Sequence, residues 1–378
     1  MDNVDQSKKS FDRQEKGREI ANAHDQIRRI DAHHYKVKSQ SRNIEHDIIS
    51  TESGWKCDCE DHKFRHICCK HVHAIEFSLK IREQVKKNVV IPPITTQLCQ
   101  FCDSDRLVKN AVRHNKYGDI QRYLCKSCGK RFSINLGFEK MRASPQTITS
   151  AMQLYFTGES LRNVQKFLQL QGIEVSHVTI YRWIDKYVGL MQKYLEQMKP
   201  QVSDTWRADE LFLKVQGNLK YLFAMMDDET RFLIAQEVAD SKNNHDARNL
   251  FRMANKVAGK KPTKLITDGL PAYREAYQKE YWTRQGPRIV HEAHITLKGD
   301  RNNNKMERLN GEIRDREKVV RGLKKNESPL IDGYQIYHNY IRPHMSLDGK
   351  TPSEMAGIKI EGDNKWITLI QNSRRKLQ

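Results

Sequence analysis

Eight cysteines constrain this chain more than any other feature, because they fall as close pairs within one stretch, from Cys57 to Cys128. The segment from Met1 to Arg29 is polar and lacks the apolar stretch of a signal peptide, and no apolar run approaches the roughly 18 residues of a membrane span. We therefore expect a cytoplasmic protein without a membrane partner. In that reducing compartment, paired cysteines indicate metal binding before disulfides.

The first cluster reads Cys57-Asp58-Cys59, then nine residues, then Cys69-Lys70-His71. Four soft ligands in two close pairs suit tetrahedral zinc. The pattern resembles the SWIM-type zinc finger, to which we assign residues 45–82, and reduced cysteines without metal are the alternative. Cys68 is adjacent to Cys69 and competes with it for the third ligand position, so the sequence leaves open whether Cys68 takes part in zinc binding.

The second cluster is a CxxC motif that occurs twice, with 22 residues between the pairs; its members are Cys99, Cys102, Cys125 and Cys128. Each short turn directs two thiolates at one ion, so the pattern predicts a second structural zinc ion. It resembles a zinc ribbon, which we assign to residues 95–135. The surrounding basic residues leave two alternatives open: phosphate contact, or a purely structural role.

Lysine and arginine number 66 against 47 acidic residues, which gives a formal charge of +19. A surplus of this size favours a polyanionic partner, and we expect nucleic acid. A merely basic protein is the alternative. The polar leader, residues 1–44, is predicted to be flexible or helical, and we assign it no function.

Three amphipathic segments, 147–156, 160–170 and 176–187, are joined by short turns. They predict a helix-turn-helix over residues 142–198, with a helical hairpin that has no DNA role as the alternative. Ser176 is the expected N-cap of the third segment. We expect some of its side chains to face a DNA groove, namely His177, Thr179, Tyr181 and Arg182. Others should pack inward, namely Val178, Ile180, Trp183 and Ile184.

Strand-like runs follow at 211–215, 219–226 and 232–238, and then helices alternate with short strands, which predicts an α/β domain. We interpret Asp227-Asp228-Glu229 as a solvated turn rather than a second metal cluster. His291 and His294 lie on a predicted strand near the acids, and we interpret them as core groups with satisfied hydrogen bonds rather than as substrate contacts.

Three acids suit a site for Mg²⁺ or Mn²⁺, which prefer hard oxygen ligands. Asp209 lies inside an otherwise apolar strand, Asp268 ends a strand before a glycine turn, and Glu307 lies early in a long basic helix. The alternation of side chains along a strand does not decide whether Asp209 or Glu210 belongs to the site, because a central strand can bury both faces.

This trio, with 58 and then 38 residues between its members, resembles the DDE transposases and integrases of the RNase H-like fold. It resembles in particular the insertion-sequence-six type and its archaeal relatives, because WRADE, ITDG, NNxxE and a closing motif at 340–354 occur in order. Many members of that group carry Asp-His-Arg shortly after the glutamate, whereas this chain continues Arg-Leu-Asn-Gly. The family motif selects Asp209 over Glu210.

The resemblance implies an α/β RNase H-like catalytic domain over 202–345, with a mixed five-stranded sheet flanked by helices and a C-terminal tail at 346–378. It implies that Asp209 bridges two Mg²⁺ or Mn²⁺ ions, with Asp268 on one and Glu307 on the other. Arg314 would hold DNA phosphate, with Asn310 on the same helix face.

The implied function is a transposase that binds the terminal inverted repeats of a mobile element, cleaves them and joins the ends to target DNA. Its partners would be double-stranded DNA and further copies of itself, as a homodimer or higher oligomer, in association with the nucleoid. Basic residues from Arg314 to Lys325 should contact the DNA backbone, namely Arg314, Arg316, Lys318, Arg321, Lys324 and Lys325. The alternatives are a non-catalytic DNA-binding regulator derived from a transposase, and an RNase H-like nuclease without joining activity.

Overall fold

The computed structural model describes residues 2–23, 26–30, 33–42, 44–51, 54–65, 67–85, 89–94, 98–99, 101–115, 118–133, 136–282, 284, 289–293, 303–326 and 328–376. They form two compact units, Met1–Lys87 and Asn88–Gln378. Within these ranges every helix is too short or too polar to cross a membrane.

The first unit combines an antiparallel sheet, in strand order β1-β2-β3-β4, with three helices. Its elements in chain order are α1 (Asp2–Asn22), β1 (Ile27–Arg29), β2 (His34–Lys38), β3 (Glu45–Thr51), β4 (Gly54–Cys57), α2 (Glu60–Arg65) and α3 (Lys70–Val85).

Residues of the predicted leader share one core with the first cysteine cluster. Ile20, Tyr35 and Val37 are buried with Ile48 and Ile75. The structure therefore corrects the predicted boundary at residue 44, because the leader supplies a helix and two strands of this unit. The leader has few apolar residues, and they become buried only against the residues that follow them, so composition alone gave no sign of a fold.

The second unit begins with β5 (Val89–Ile91) and a small antiparallel sheet around the second cysteine cluster. That sheet consists of β6 (Leu107–Asn115), β7 (Gly118–Cys125) and β8 (Arg131–Ser133). Phe132 packs with Cys99 and Cys125 in its core. This small sheet buries few apolar side chains, so metal coordination is the natural source of stability here.

Three helices follow, α4 (Pro145–Thr157), α5 (Leu161–Leu170) and α6 (His177–Leu195). Each begins after a serine whose hydroxyl accepts a hydrogen bond from a backbone N–H in the first turn; these caps are Ser144, Ser160 and Ser176. Ile180, Trp183 and Ile184 are buried as predicted. Val178 is 45% exposed, so its predicted inward packing is wrong: it precedes the buried stripe of α6 by two residues.

The central sheet of the second unit has the order β11-β10-β9-β12-β13. Its strands are β9 (Thr205–Val215), β10 (Asn218–Asp227), β11 (Leu233–Ala239), β12 (Lys264–Ile266) and β13 (Val290–Glu292). The first three pair antiparallel, whereas β12 runs parallel to both β9 and β13. This mixed five-stranded sheet fits the predicted RNase H-like domain.

Helices α7 (Asn244–Ala258), α8 (Pro271–Glu280) and α9 (Asn304–Val320) accompany the sheet. Helix α7 packs on β10 and β11, α8 packs beside α7, and α9 packs on β9. The ring of Phe251 in α7 stacks on Tyr273 of α8 and on Tyr281, with centroids 6.2 and 5.0 Å away. These contacts fix α8 directly behind the loop that carries Asp268.

The C-terminal segment is α10 (Pro329–Ile336), a π-helix (Tyr337–Ile341), a 3-10 helix (Met345–Leu347), α11 (Pro352–Met355), β14 (Ile358–Ile360) and α12 (Lys365–Lys376). Strand β14 pairs parallel with β5. Trp366 is buried and stacks on Phe156 of α4, with ring centroids 5.6 Å apart. The predicted tail at 346–378 is therefore packed into the second unit. Its partners lie about 200 residues earlier in the chain, beyond the reach of a local pattern.

Candidate active site and metal centres

Asp209 lies on β9, and Asp268 follows the end of the neighbouring parallel strand β12. Arg207 of β9 pairs with Ile266 of β12, and each acid follows two residues later. Adjacent strands are about 4.8 Å apart, so the two carboxyl groups meet at one edge of the sheet. Oxygen atoms of Asp209, Asp268 and Glu210 lie within 4.8 Å of one another.

Helix α9 lies beside Asp209 and carries Glu307. Asn310, one turn after Glu307, donates a hydrogen bond of 2.8 Å from Nδ2 to Oδ2 of Asp209. Glu307 is exposed in the first turn of α9, and its charge contributes to raising the pKa of Asp209. The structure thus groups Asp209 and Asp268 with Glu210, and Glu307 lies near this group on α9 but outside the set of oxygen atoms within 4.8 Å of one another.

Burial raises the pKa of Asp209 to about 7, and the negative charges of Glu210, Asp268 and Glu307 add to the effect. A half-buried carboxylate surrounded by three others disfavours its own ionisation unless a cation joins the group. The chemistry of the donor set, oxygen atoms only, fits a hard divalent cation such as Mg²⁺ or Mn²⁺.

Glu210 and Tyr273 belong to this site, although the sequence gave neither a role. The buried Glu210 accepts a hydrogen bond of 2.7 Å from Nζ of Lys242. Burial and the neighbouring acids raise the pKa of the fully buried Tyr273 well above its usual value. Glu210 is therefore neutralised by an ion pair, whereas no such pair is present at Asp209 among the described residues.

The predicted solvated turn at Asp227-Asp228-Glu229 is wrong for its first two residues, which are buried. Asp227 accepts hydrogen bonds from Ser203 and Thr230. Asp228 accepts from Arg207 at 2.5 Å and from Nζ of Lys305 at 2.7 Å. Burial acts to raise the pKa of Asp228, but Lys305 and Arg207 outweigh it and lower the pKa. The turn therefore anchors the first turn of the helix that carries Glu307.

A second anchor joins α9 to the closing sequence motif. Glu312 accepts a hydrogen bond of 2.6 Å from the hydroxyl of Tyr334 and one of 2.5 Å from Arg342. Burial acts to raise the pKa of Glu312, but the hydrogen bonds from Arg342 and Tyr334 outweigh it and lower the pKa. Arg342 lies in the closing motif at 340–354, yet nothing in the sequence indicated that its partner lies 30 residues earlier.

The predicted DNA contacts differ in exposure. Arg182 and Arg314 are exposed and Thr179 and Tyr181 are half-buried, so all four remain predictions. Asn310 is only 3% exposed and its Nδ2 is bonded to Asp209, which corrects its predicted place on a DNA-facing surface.

Arg316 is also buried, beneath Tyr155, so its predicted role on the DNA backbone is corrected too. His291 Nε2 lies 3.0 Å from the Thr267 hydroxyl and its ring stacks on Tyr277, as expected for a satisfied core group. His294 lies outside the described residues.

The first cysteine cluster brings its four predicted ligands together. One ligand atom each from Cys57, Cys59, Cys69 and His71 lies within 4.8 Å of the others, and all four residues are buried. Cys57 Sγ is 3.8 Å from His71 Nδ1. Cys68 is exposed and lies outside this set, so Cys69 rather than Cys68 completes the four ligands.

The second cluster has the same geometry. Its four sulfur atoms lie within 4.8 Å of one another, with Cys99 Sγ 3.7 Å from Cys128 Sγ and Cys102 Sγ 3.6 Å from Cys125 Sγ. In tetrahedral zinc sites with Zn–S bonds of about 2.3 Å, sulfur atoms lie about 3.8 Å apart. Both clusters therefore fit a tetrahedral zinc ion.

The mixed sheet carries acids on β9 and after β12, with Glu307 on α9, and the family comparison covers this same part of the chain. Residues 203–344 match the family model described as a DDE domain, of the IS240 type. The predicted resemblance to DDE transposases of insertion sequences is thereby confirmed for this part of the chain.

Proteins of insertion elements are among the curated relatives. Over 143 residues the chain is 29% identical to the transposase for the insertion sequence-like element IS431mec of Staphylococcus aureus, and to that for IS257 in transposon Tn4003. This stretch covers 38% of the chain and 63% of each relative. A 48.3 kDa protein of insertion element ISM1 from Methanobrevibacter smithii is 26% identical over 194 residues, 47% of the chain and 46% of that protein. The chain thus spans less than two thirds of these relatives.

Two proteins of known structure are also similar. The simian T-cell lymphotropic virus intasome has a chain with 16% identity and a TM-score of 0.33, over 42% of this chain and 56% of that one. The magnesium-bound catalytic core domain of the HTLV-2 integrase has 18% identity and a TM-score of 0.29, over 42% of this chain and 98% of that one.

Proposed function

We propose that this chain is a DDE transposase that binds the ends of a mobile DNA element and catalyses metal-dependent strand cleavage and strand transfer. The observation that carries the proposal is the convergence of Asp209, Asp268 and the helix of Glu307 inside a matched DDE domain. Because its substrate would be double-stranded DNA, the protein would associate with the nucleoid in the cytoplasm.

Asp209, Asp268 and Glu307 would hold two Mg²⁺ or Mn²⁺ ions in this proposal. When bound, such a pair activates the attacking oxygen, from water or a DNA 3′-hydroxyl, and stabilises charge on the leaving oxygen. Asn310 holds Asp209 in one orientation by bonding to Oδ2. Lys242 neutralises Glu210, so the local excess of negative charge is centred on the proposed ligands.

DNA would be held by cationic and polar side chains that contact phosphate or bases. Arg314, exposed on α9 two turns after Glu307, is placed to contact phosphate next to the acids. Helix α6 would enter a groove through Thr179, Tyr181 and Arg182. Because two element ends must be joined to one target, we expect a homodimer or a higher oligomer.

Incubation of the full chain with Mg²⁺ and labelled DNA from the region flanking its gene tests the proposal. Joined products are the expected result; cut products alone, or binding alone, would replace it with a nuclease or a non-catalytic regulator. Asp268→Asn should abolish both steps and leave DNA binding intact. Asp240→Asn is the matched control, because Asp240 is exposed, pairs with Lys220 and lies outside the acidic cluster.

We also propose that the two cysteine clusters each hold one structural zinc ion. Metal analysis of the purified chain should find two zinc ions, with one lost in Cys57→Ser and one in Cys125→Ser. Fewer than one zinc ion per wild-type chain would contradict this part of the proposal.

A further inference from the structure

A third group of metal-ligand side chains lies in the unit Met1–Lys87, outside both four-ligand sets. One ligand atom each from Cys68, His73 and Glu76 lies within 4.8 Å of the others. His73 and Glu76 are one turn apart on α3, and Cys68 comes just before that helix begins. The sequence assigned no role to His73 or Glu76 and left the role of Cys68 open.

The distances suit a shared ion. Cys68 Sγ lies 3.7 Å from His73 Nδ1, and that nitrogen lies 3.2 Å from Oε2 of Glu76. With Zn–S bonds of about 2.3 Å and Zn–N or Zn–O bonds of about 2.0 to 2.1 Å, tetrahedral ligand atoms are separated by about 3.3 to 3.6 Å. The Cys68–His73 distance also matches the 3.6 to 3.8 Å found within the two four-ligand clusters.

One nitrogen, Nδ1 of His73, contacts both of the other ligand atoms. A single N–H can point at only one acceptor, whereas a metal ion would bind all three atoms at once. The His73 side chain is only 13% exposed, and a Cβ on Gly17 of α1 would lie 2.7 Å from its Cβ, so close packing fixes its position. The His73 side chain is therefore mostly buried, and its Cβ is packed closely against α1.

We propose that Cys68, His73 and Glu76 form a third, open site for a divalent transition metal, most suited to Zn²⁺ or Co²⁺. A soft thiolate and a borderline imidazole beside a single carboxylate favour a transition metal over Mg²⁺. Three protein ligands leave a fourth position for water or another donor, as in zinc sites that exchange ligands. Cys68 is exposed, so ions can enter, and binding releases the thiol proton to solvent.

Cobalt binding to the full chain, with both four-ligand sites already filled by zinc, tests the proposal. We expect one further equivalent of Co²⁺ to bind, with a thiolate-to-cobalt charge-transfer band. Cys68→Ser should abolish that band and keep two zinc ions per chain. Glu76→Gln should weaken Co²⁺ binding by about tenfold or more.

Glu60→Gln is the matched control, since Glu60 is an exposed carboxylate of the same unit that pairs with Arg42. It should bind Co²⁺ as the wild type does. Absence of the third equivalent, or a third equivalent that Cys68→Ser binds equally well, would overturn the proposal. His73 and Glu76 would then form a hydrogen-bonded pair with no metal function.

Discussion

Nδ2 of Asn310 donates a hydrogen bond of 2.8 Å to Oδ2 of Asp209, across 101 residues of sequence. This bond joins α9 to the central strand β9, so the helix that carries Glu307 and the strand that carries Asp209 hold each other in register. The amide is buried, and water therefore does not compete for the bond. A side chain one turn from Glu307 thus sets the geometry of the acidic cluster.

Asn310→Ala should lower the rate of strand transfer by about 10- to 100-fold, because a small displacement of a metal ligand costs this much. Rates measured against Mg²⁺ concentration should show weaker Mg²⁺ binding, so that the variant needs more Mg²⁺ to reach half of its maximal rate. Its DNA affinity should be unchanged. Asn249→Ala on α7 is the control, because its only described side-chain partners lie away from the acids. Equal rates in both variants would show that Asn310 does not position Asp209.

Asp209→Asn should stabilise the metal-free protein at alkaline pH. The pKa of Asp209 in the folded chain, about 7, exceeds its ordinary value of 3.8, so its carboxyl group favours folding at low pH and opposes it as pH rises through 7. At about 1.4 kcal/mol per pKa unit, the gain above pH 7 approaches about 4 kcal/mol. Thermal unfolding checks this, with an increase in Tm at pH 8 on the order of 5 °C or more and little difference at pH 4.

Addition of Mg²⁺ to the same two proteins supplies the control. It should raise the Tm of the wild type and have a smaller effect on Asp209→Asn, because the variant lacks the shared ligand. A wild type that is the more stable of the two at pH 8 without metal would contradict this account.

The sequence predicted the chemistry of this protein better than its packing. Cysteine pairs, the three acids and the strand before Asp268 carry local patterns, because turns that present metal ligands need fixed spacings. The order of the strands could be expected only through the family resemblance. The periodicity of the apolar residues and the composition alone indicated an α/β domain and no more.

What the sequence did not predict are contacts between distant residues. Asp228 looked like part of a solvated turn, yet Lys305, 77 residues later, and Arg207 bury and neutralise it. The short helix α12 looked like a tail because its buried partners, such as Phe156, lie far away in sequence. Charged residues in a turn and a polar C-terminus are normally exposed, so such packing requires a structure to detect.

Arg314 and Arg316 should behave differently on substitution, although they are two residues apart on one helix. Arg314 is exposed, whereas Arg316 is 4% exposed with its guanidinium carbon 4.9 Å from the ring centroid of Tyr155. Arg314→Ala should weaken binding to all DNA sequences and reduce the salt dependence of log K by about one ion. Arg316→Ala should keep that salt dependence and lose about 1 to 3 kcal/mol of folding free energy.

Salt-dependent DNA binding and urea unfolding, measured on both variants, separate these outcomes. Each variant is the control for the other, because both remove the same charge from the same helix. A reduced salt dependence in Arg316→Ala with full stability would mean that Arg316 leaves Tyr155 to contact DNA.

Loss of the Glu312–Arg342 pair should destabilise the helix that carries Glu307. Both side chains are about three-quarters buried, and Glu312 also accepts from Tyr334. Arg342→Met leaves the partly buried carboxylate with only the long pair to the exposed Arg308, at 3.7 Å, among the described residues, so we expect a loss of about 2 kcal/mol and slower strand transfer. Arg342→Met combined with Glu312→Gln should recover part of that loss, because neither charge then remains unpaired. Urea unfolding of the two single variants and the double variant measures this coupling. Arg375→Met is the control, since the ion pair of Arg375 with Asp103 is exposed. Strictly additive losses would show that the two residues stabilise α9 independently of each other.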